Sequence, residues 1–236
     1  MVTRGIFVGY WVFCYVVFLC TFVYLVGFVG NRYTFSTIDS GLQLPFSDAL
    51  AIDLGLLALF FAQHSLMARR WFKTAWRRWL PEGMERSTYV LAASLVLVLL
   101  FWRWEPMPEL IWSIELPAAR AMLHGLFWLG WLTVIVTSFL SGHWELVGLK
   151  QALQGRDVTP TFRVAGPYRW VRNPMMIGLL LGFWSTPEMS RGHLLFAIAN
   201  LAYVVIAVRW EERDLARQFG PEYERYRNRV ARWRLF

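Results

Sequence analysis

The chain has 236 residues, of which 57% are hydrophobic and only 17% charged, and its mean hydropathy is +0.39. That balance excludes an ordinary soluble domain, in which about half of the residues are apolar and about a quarter charged. It fits one bundle of five or six membrane spans at ~20 residues each, in which the distribution of the +8 formal charge says more than its sum.

In chain order, the first apolar run covers residues 5–29. It is far longer than a signal-peptide core and no small-residue cleavage site follows it, so it reads as a retained span. Cys14 and Cys20 lie six residues apart within it and face different sides of a helix, which argues against an internal disulfide. Residues 47–67 predict a second span. The stretch 69–80 then sets Trp71, Phe72, Ala75, Trp76, Trp79 and Leu80 on one half of a helical wheel and Arg70, Lys73, Arg77 and Arg78 on the other. This is the pattern of an amphipathic helix lying in the membrane interface against lipid. Residues 88–102 and 118–140 predict the third and fourth spans. Residues 174–185 are short for a crossing, and after a tight turn residues 194–208 complete a C-terminal helical hairpin. The fold class is therefore an all-α integral membrane protein, with 1–236 as a single domain of five to six transmembrane helices.

Charge sets the expected orientation. With the N-terminus inside, twenty of the 24 Lys and Arg residues fall on the cytoplasmic side, and only Arg32, Arg103, Arg120 and Arg191 fall outside. The positive-inside bias then requires an even number of crossings and places both termini in the cytoplasm.

Two polar segments flank the last hairpin. One runs Gly166-Pro167-Tyr168-Arg169-Trp170-Val171-Arg172-Asn173-Pro174. The other carries Glu211-Glu212-Arg213-Asp214-Leu215 and then Phe219-Gly220-Pro221-Glu222-Tyr223-Glu224-Arg225-Tyr226. Arginines facing carboxylates across the mouth of a hairpin can pair with each other. Equally, they can hold a zwitterionic ligand, with Arg on its carboxylate and Glu on its ammonium or ribose. No Gly-x-Gly-x-x-Gly occurs, so a soluble Rossmann-type cofactor site is absent.

These two segments resemble those of the isoprenylcysteine carboxyl methyltransferase superfamily, whose members bind S-adenosylmethionine (SAM) between them. The resemblance implies that residues 141–236 are the cofactor-binding half. It implies contacts from Gly166, Tyr168, Arg172, Asn173, Pro174, Glu211 and Glu212, and no metal. Asn173 stands where that family usually has His, and Met176 where it often has Tyr; Asn keeps hydrogen-bonding capacity but does not titrate. The segments Ala62-Gln63-His64-Ser65-Leu66-Met67, Glu85-Arg86-Ser87-Thr88-Tyr89, Phe101-Trp102-Arg103-Trp104-Glu105-Pro106 and Phe183-Trp184-Ser185-Thr186-Pro187 resemble the bacterial methanethiol S-methyltransferases, relatives of the NnrU-like membrane proteins. That implies methyl transfer from SAM to a small thiol in a bacterial inner membrane, with methanethiol giving dimethyl sulfide. Membrane lipid is the surrounding partner, and no nucleic acid or obligate protein partner is expected. The alternatives are a lipid or isoprenylcysteine-type acceptor, or a non-enzymatic NnrU-like accessory protein.

Transfer from a sulfonium to a thiolate joins opposite charges into neutral products, which favours a dry pocket and one proton acceptor. His64, near the end of the second span, is one candidate base, with a structural hydrogen bond as its other reading. His143 with Glu145, just past the fourth span, is the second: either a base with an orienting carboxylate or a satisfied interfacial pair. Asp53 lies ~16 Å from His64 along the same helix face and reads as a polar contact in the bundle. His124 and His193 fall near the outer side and read as structural.

Overall fold

The computed structural model describes residues 2–158 and 161–230. Arg232 and Arg234, counted above in the basic tail, lie outside the described residues. The helices are α1 (Val2–Val29), α2 (Phe46–Met67), α3 (Arg70–Trp76), α4 (Glu82–Arg103), α5 (Pro117–Ser141), α6 (His143–Leu146), α7 (Leu149–Gln154), α8 (Pro174–Trp184), α9 (Arg191–Phe219) and α10 (Pro221–Arg229). Two short strands, β1 (Leu110–Ser113) and β2 (Glu188–Ser190), pair with each other. Five helices, α1, α2, α4, α5 and α9, are long and apolar enough to cross a membrane, so the protein is an all-α multi-span membrane protein. Local chemistry sets many of the boundaries. Pro117, Pro174 and Pro221 open their helices at positions where no backbone donor is needed, and Glu82 and Glu85 stand in the first turn of α4.

The helices form two compact units. In the first, α4 packs against both α1 and α2, and α7 packs against α1 and α4. Phe101 of α4 meets Tyr24 and Phe28 of α1, each with ring centroids 5.0 Å apart. Asp53 is fully buried in α2, where its Oδ1 accepts the Glu105 backbone N–H at 2.9 Å and ties down the chain leaving α4. The amphipathic stretch is helical only over Arg70–Trp76 and then turns, shorter than the 69–80 expected from the wheel. Its end is drawn off by Arg77, which bonds Glu85 at 2.7 Å and Asp157 at 2.6 Å, and Glu85 holds the guanidinium in its charged form. Trp71 and Trp79 stay exposed, at 61% and 90%, as expected of side chains that meet headgroups rather than protein.

The second unit is built on α5, α8 and the body of α9. α5 and α8 approach at glycines: a Cβ on Gly130 would lie 2.6 Å from Gly182 N and 2.7 Å from Gly178 O. With no hydrophobic effect between helices in lipid, such close backbone approach is what holds them together. α8 is 11 residues, ~16 Å at 1.5 Å per residue, too short to cross alone. The non-helical residues after it continue the path, because Ile114 N, just before α5, bonds Pro187 O at 2.9 Å. The fifth segment thus reaches the far end of α5 as a half-length helix plus extended chain. Irregular backbone of this kind is tolerated at membrane depth only when buried in protein, and Ser185, Met189 and Ser190 are buried. α9 runs unbroken to Phe219, so Glu211 and Glu212 sit on continuous helix beyond the apolar run 194–208.

Candidate active site

The tail folds back on the loop that precedes α8. After the turn at Gly220, α10 buries Tyr223, Tyr226 and Val230 against Phe162, Val164, Leu215, Ala216 and Phe219. Spacing of three and four residues puts those three side chains on one face of a short helix, which is why the Phe-Gly-x-x-Tyr-x-x-Tyr pattern behaves as a latch. Tyr226 Oη donates to Tyr168 O at 2.8 Å and fixes the 3-10 turn Gly166–Arg169. Burial and the neighbouring Tyr168 push the Tyr226 hydroxyl up to about 12, so it stays a donor. Replacing Tyr226 with Phe is expected to lower stability by about 1 kcal/mol, the usual worth of one such bond, readable as a fall in the thermal midpoint in detergent.

Within this frame the sequence-predicted residues gather unevenly. Arg172 is buried, its side chain only 2% exposed, and its Nη2 lies 3.0 Å from Glu212 Oε1. That ion pair lacks hydrogen-bonding orientation, and Nε and Nη1 have no hydrogen-bond partner among the described residues either. Tyr168 bonds Ser141, and its hydroxyl is raised by burial, with the Glu211 carboxylate adding to the shift. Burial, then Glu212, raises Tyr223 further, while Arg172 opposes that shift. Arg172, Glu212, Tyr168, Tyr223 and Tyr226 therefore form one cluster, with Glu211 beside it on the exposed side of α9. Asn173 sits at the N-cap position of α8 without a side-chain cap bond, and Pro174 is buried at the first helical position. Tyr223, Tyr226 and Ser141 were not picked out as site residues from the sequence. Tyr223 and Tyr226 stood in a quoted motif whose folded-back geometry only the structure supplies.

The histidine candidates lie in the other unit. His64 is half-buried, and Tyr89 Oη lies 3.0 Å from both of its ring nitrogens. His143 is buried, with Nε2 2.9 Å from Tyr15 Oη. Tyr15 is eleven residues past Arg4, ~16 Å along α1, so His143 lies beside the middle of that helix rather than at its edge. It shares an aromatic cluster with Trp11, Tyr15 and Trp144. The approach of this loop to the bundle depends on Gly148, where a Cβ would lie 2.8 Å from Ser87 Oγ and 3.0 Å from Ser87 N. Glu145 does not orient His143: its partner is Lys150 Nζ at 3.1 Å. Two residues apart on a helical turn, the side chains at 143 and 145 point to different faces. Among the described residues, no group of three His, Cys, Asp or Glu side chains is placed to hold a metal ion.

Known proteins share this framework. The phospholipid methyltransferase family model matches residues 126–222, which span α8, α9 and the cluster residues Tyr168, Arg172 and Glu212. A methanethiol S-methyltransferase of Mycobacterium tuberculosis is 46% identical over 221 residues, 92% of this chain and 91% of that protein. Methanethiol S-methyltransferase 2 of Bradyrhizobium diazoefficiens is 44% identical over 94% of this chain and 86% of its own length. Nurim of Sus scrofa is a more distant relative, 31% identical over 75% of this chain and 70% of that protein. No solved structure matches the chain. With identity at this level running nearly end to end, and with the matched segment carrying the arginine–carboxylate cluster, the chain belongs to the methanethiol S-methyltransferase family and is an S-methyltransferase.

Proposed function

We propose that the protein methylates methanethiol to dimethyl sulfide, with SAM as donor, at the cytoplasmic side of a bacterial inner membrane and with both termini inside. The observation that carries the donor assignment is the buried Arg172 guanidinium with unmet donors. Leaving a buried charged donor unsatisfied is costly, which argues for an anionic acceptor in the functional state. A carboxylate fits that need through two parallel N–H···O bonds. The donor's ammonium and ribose then fall to Glu212 and Glu211, and the turn Gly166–Arg169 with Asn173 and Pro174 forms the wall of the site. SAM supplies an electrophilic methyl group on a sulfonium. The chain's own tasks are to hold that group dry and to accept the thiol proton, for which His64 and His143 are the available imidazoles. Twenty basic residues on one side support the orientation.

The test is headspace detection of dimethyl sulfide from purified protein given SAM and methanethiol. Dimethyl sulfide is the expected product. Methylation of a phospholipid amine with no sulfide formed would replace this reading with the lipid one.

A further inference from the structure

In the first unit, α2 and α4 are long and apolar enough to cross a membrane, and α3 joins the end of one to the start of the other. Met67, the last residue of α2, and Glu85, Arg86 and Tyr89, in the first turns of α4, therefore stand at one membrane surface. Together with α3 they enclose a pocket of about 320 Å3. Its walls are the Met67 thioether and the rings of Phe72, Trp76 and Tyr89, and its charges are Lys73, Glu85 and Arg86. Glu85 is already engaged by Arg77 at 2.7 Å and Lys73 at 3.6 Å. Arg86 meets no carboxylate among the described residues. Its Nε donates to Leu146 O at 2.8 Å, and its guanidinium carbon lies 5.4 Å from the Tyr89 ring centroid. The charge left uncompensated in the pocket is positive.

Such a pocket calls for a ligand with an anionic head and an apolar body, and its place at the membrane surface narrows the choice. Arg70 and Arg78, on the same short stretch as α3, are exposed. Trp71 and Trp79 are exposed with them, as side chains that sit among lipid headgroups are. Basic interfacial segments of this kind attract anionic lipid. A zwitterionic headgroup would bring its ammonium against Arg86 and Lys73, while the one lining carboxylate is already engaged. A water-soluble anion would leave the thioether and the rings unused. The pocket takes a headgroup and glycerol, and the acyl chains stay in the bilayer, where Leu66 of α2 presents exposed apolar surface. We propose that this pocket binds one anionic phospholipid, with its phosphate on Arg86 and Lys73 and its glycerol against Phe72 and Trp76. The two terminal nitrogens of the Arg86 fork match two phosphate oxygens. Bound there, the lipid ties α3 to the start of α4 and stabilises the first unit.

The experiment titrates the full-length protein in detergent with dioleoyl phosphatidylglycerol, and separately with dioleoyl phosphatidylcholine, and counts bound lipid by native mass spectrometry. One tightly held phosphatidylglycerol per chain is expected, with phosphatidylcholine about tenfold weaker or more. Arg86→Gln and Lys73→Gln are each expected to weaken phosphatidylglycerol about tenfold, the usual worth of one charge-assisted bond. The paired change Arg70→Gln with Arg78→Gln removes exposed charges that do not line the pocket, and is expected to leave the first lipid in place. Arg86→Gln also loses the Leu146 bond, so thermal midpoints are compared as the rise that added phosphatidylglycerol produces. That rise is expected in wild type and in the paired variant, and is expected to vanish in Arg86→Gln. Equal affinity for the two lipids would overturn the proposal, as would wild-type affinity in both Arg86→Gln and Lys73→Gln. An equal loss in the paired variant would overturn it too, because the lipid would then be held by surface charge alone. So would displacement of the lipid by equimolar sn-glycerol 3-phosphate, which would make the site one for a small soluble phosphate.

Discussion

Arg172→Ala is expected to weaken SAM binding roughly a hundredfold or more, with the fold retained. Arg172 presents a buried guanidinium whose Nε and Nη1 lack hydrogen-bond partners among the described residues. Each charge-assisted bond to a ligand carboxylate is worth about 1.5–3 kcal/mol, and two would be lost. The variant keeps its fold because Glu212, left behind, is 21% exposed and can rehydrate, and because the guanidinium contributes no hydrogen bond to the structure itself. Arg172→Lys is expected to fall between wild type and Ala: the charge stays, but a point ammonium cannot make the two parallel bonds of a fork. Calorimetry with SAM reads the affinity and a thermal melt in detergent reads the fold. Wild-type affinity in Arg172→Ala would remove the donor carboxylate from this position.

The largest effect on the fold is expected from Gly178→Val. A Cβ at Gly178 would lie 2.7 Å from Gly130 O and 3.0 Å from Val134 N, and these obstacles are backbone of the facing helix. No side chain can swing away, so α5 and α8 must separate. Overpacking a tight core typically costs 1–3 kcal/mol, and a clash against rigid backbone should reach about 3 kcal/mol or more. Because Pro174 begins α8 directly after Arg172 and Asn173, separation of the helices would also displace the donor cluster. The expected result is little folded protein after extraction and no SAM binding in what survives. Gly125→Val is the control: it lies on the facing helix α5, and a Cβ there meets nothing within 4 Å. Comparable melts for the two variants would show that the glycine contact is not what holds the pair.

The sequence carried the membrane character and most of the spans because lipid imposes a simple rule. Every stretch that crosses must be apolar for ~20 residues and must satisfy its own backbone. Residues 174–185 broke that rule by length, and the break was itself informative: α8 is short because extended chain after it completes the path. Arg172 and Glu212 were legible as a pair because opposite charges at the two ends of one hairpin have few other places to go. The partner of Glu145 was not legible, since proximity in sequence to His143 says nothing about which face of a helical turn each occupies; Lys150 takes the carboxylate. His143 lies just past α5, as expected, and packing sets it against Tyr15 near the middle of α1.

The basic, apolar composition, the spans and the family thus follow from the sequence, because hydropathy and charge act one residue at a time and sum along the chain. Two things were decided only by tertiary structure: the unsatisfied guanidinium of Arg172 and the latch of Tyr223 and Tyr226. The first depends on which donors remain unmatched once the helices have packed, the second on which side chains the folded-back tail meets. Hydrogen-bond satisfaction is a property of the folded neighbourhood rather than of any residue type.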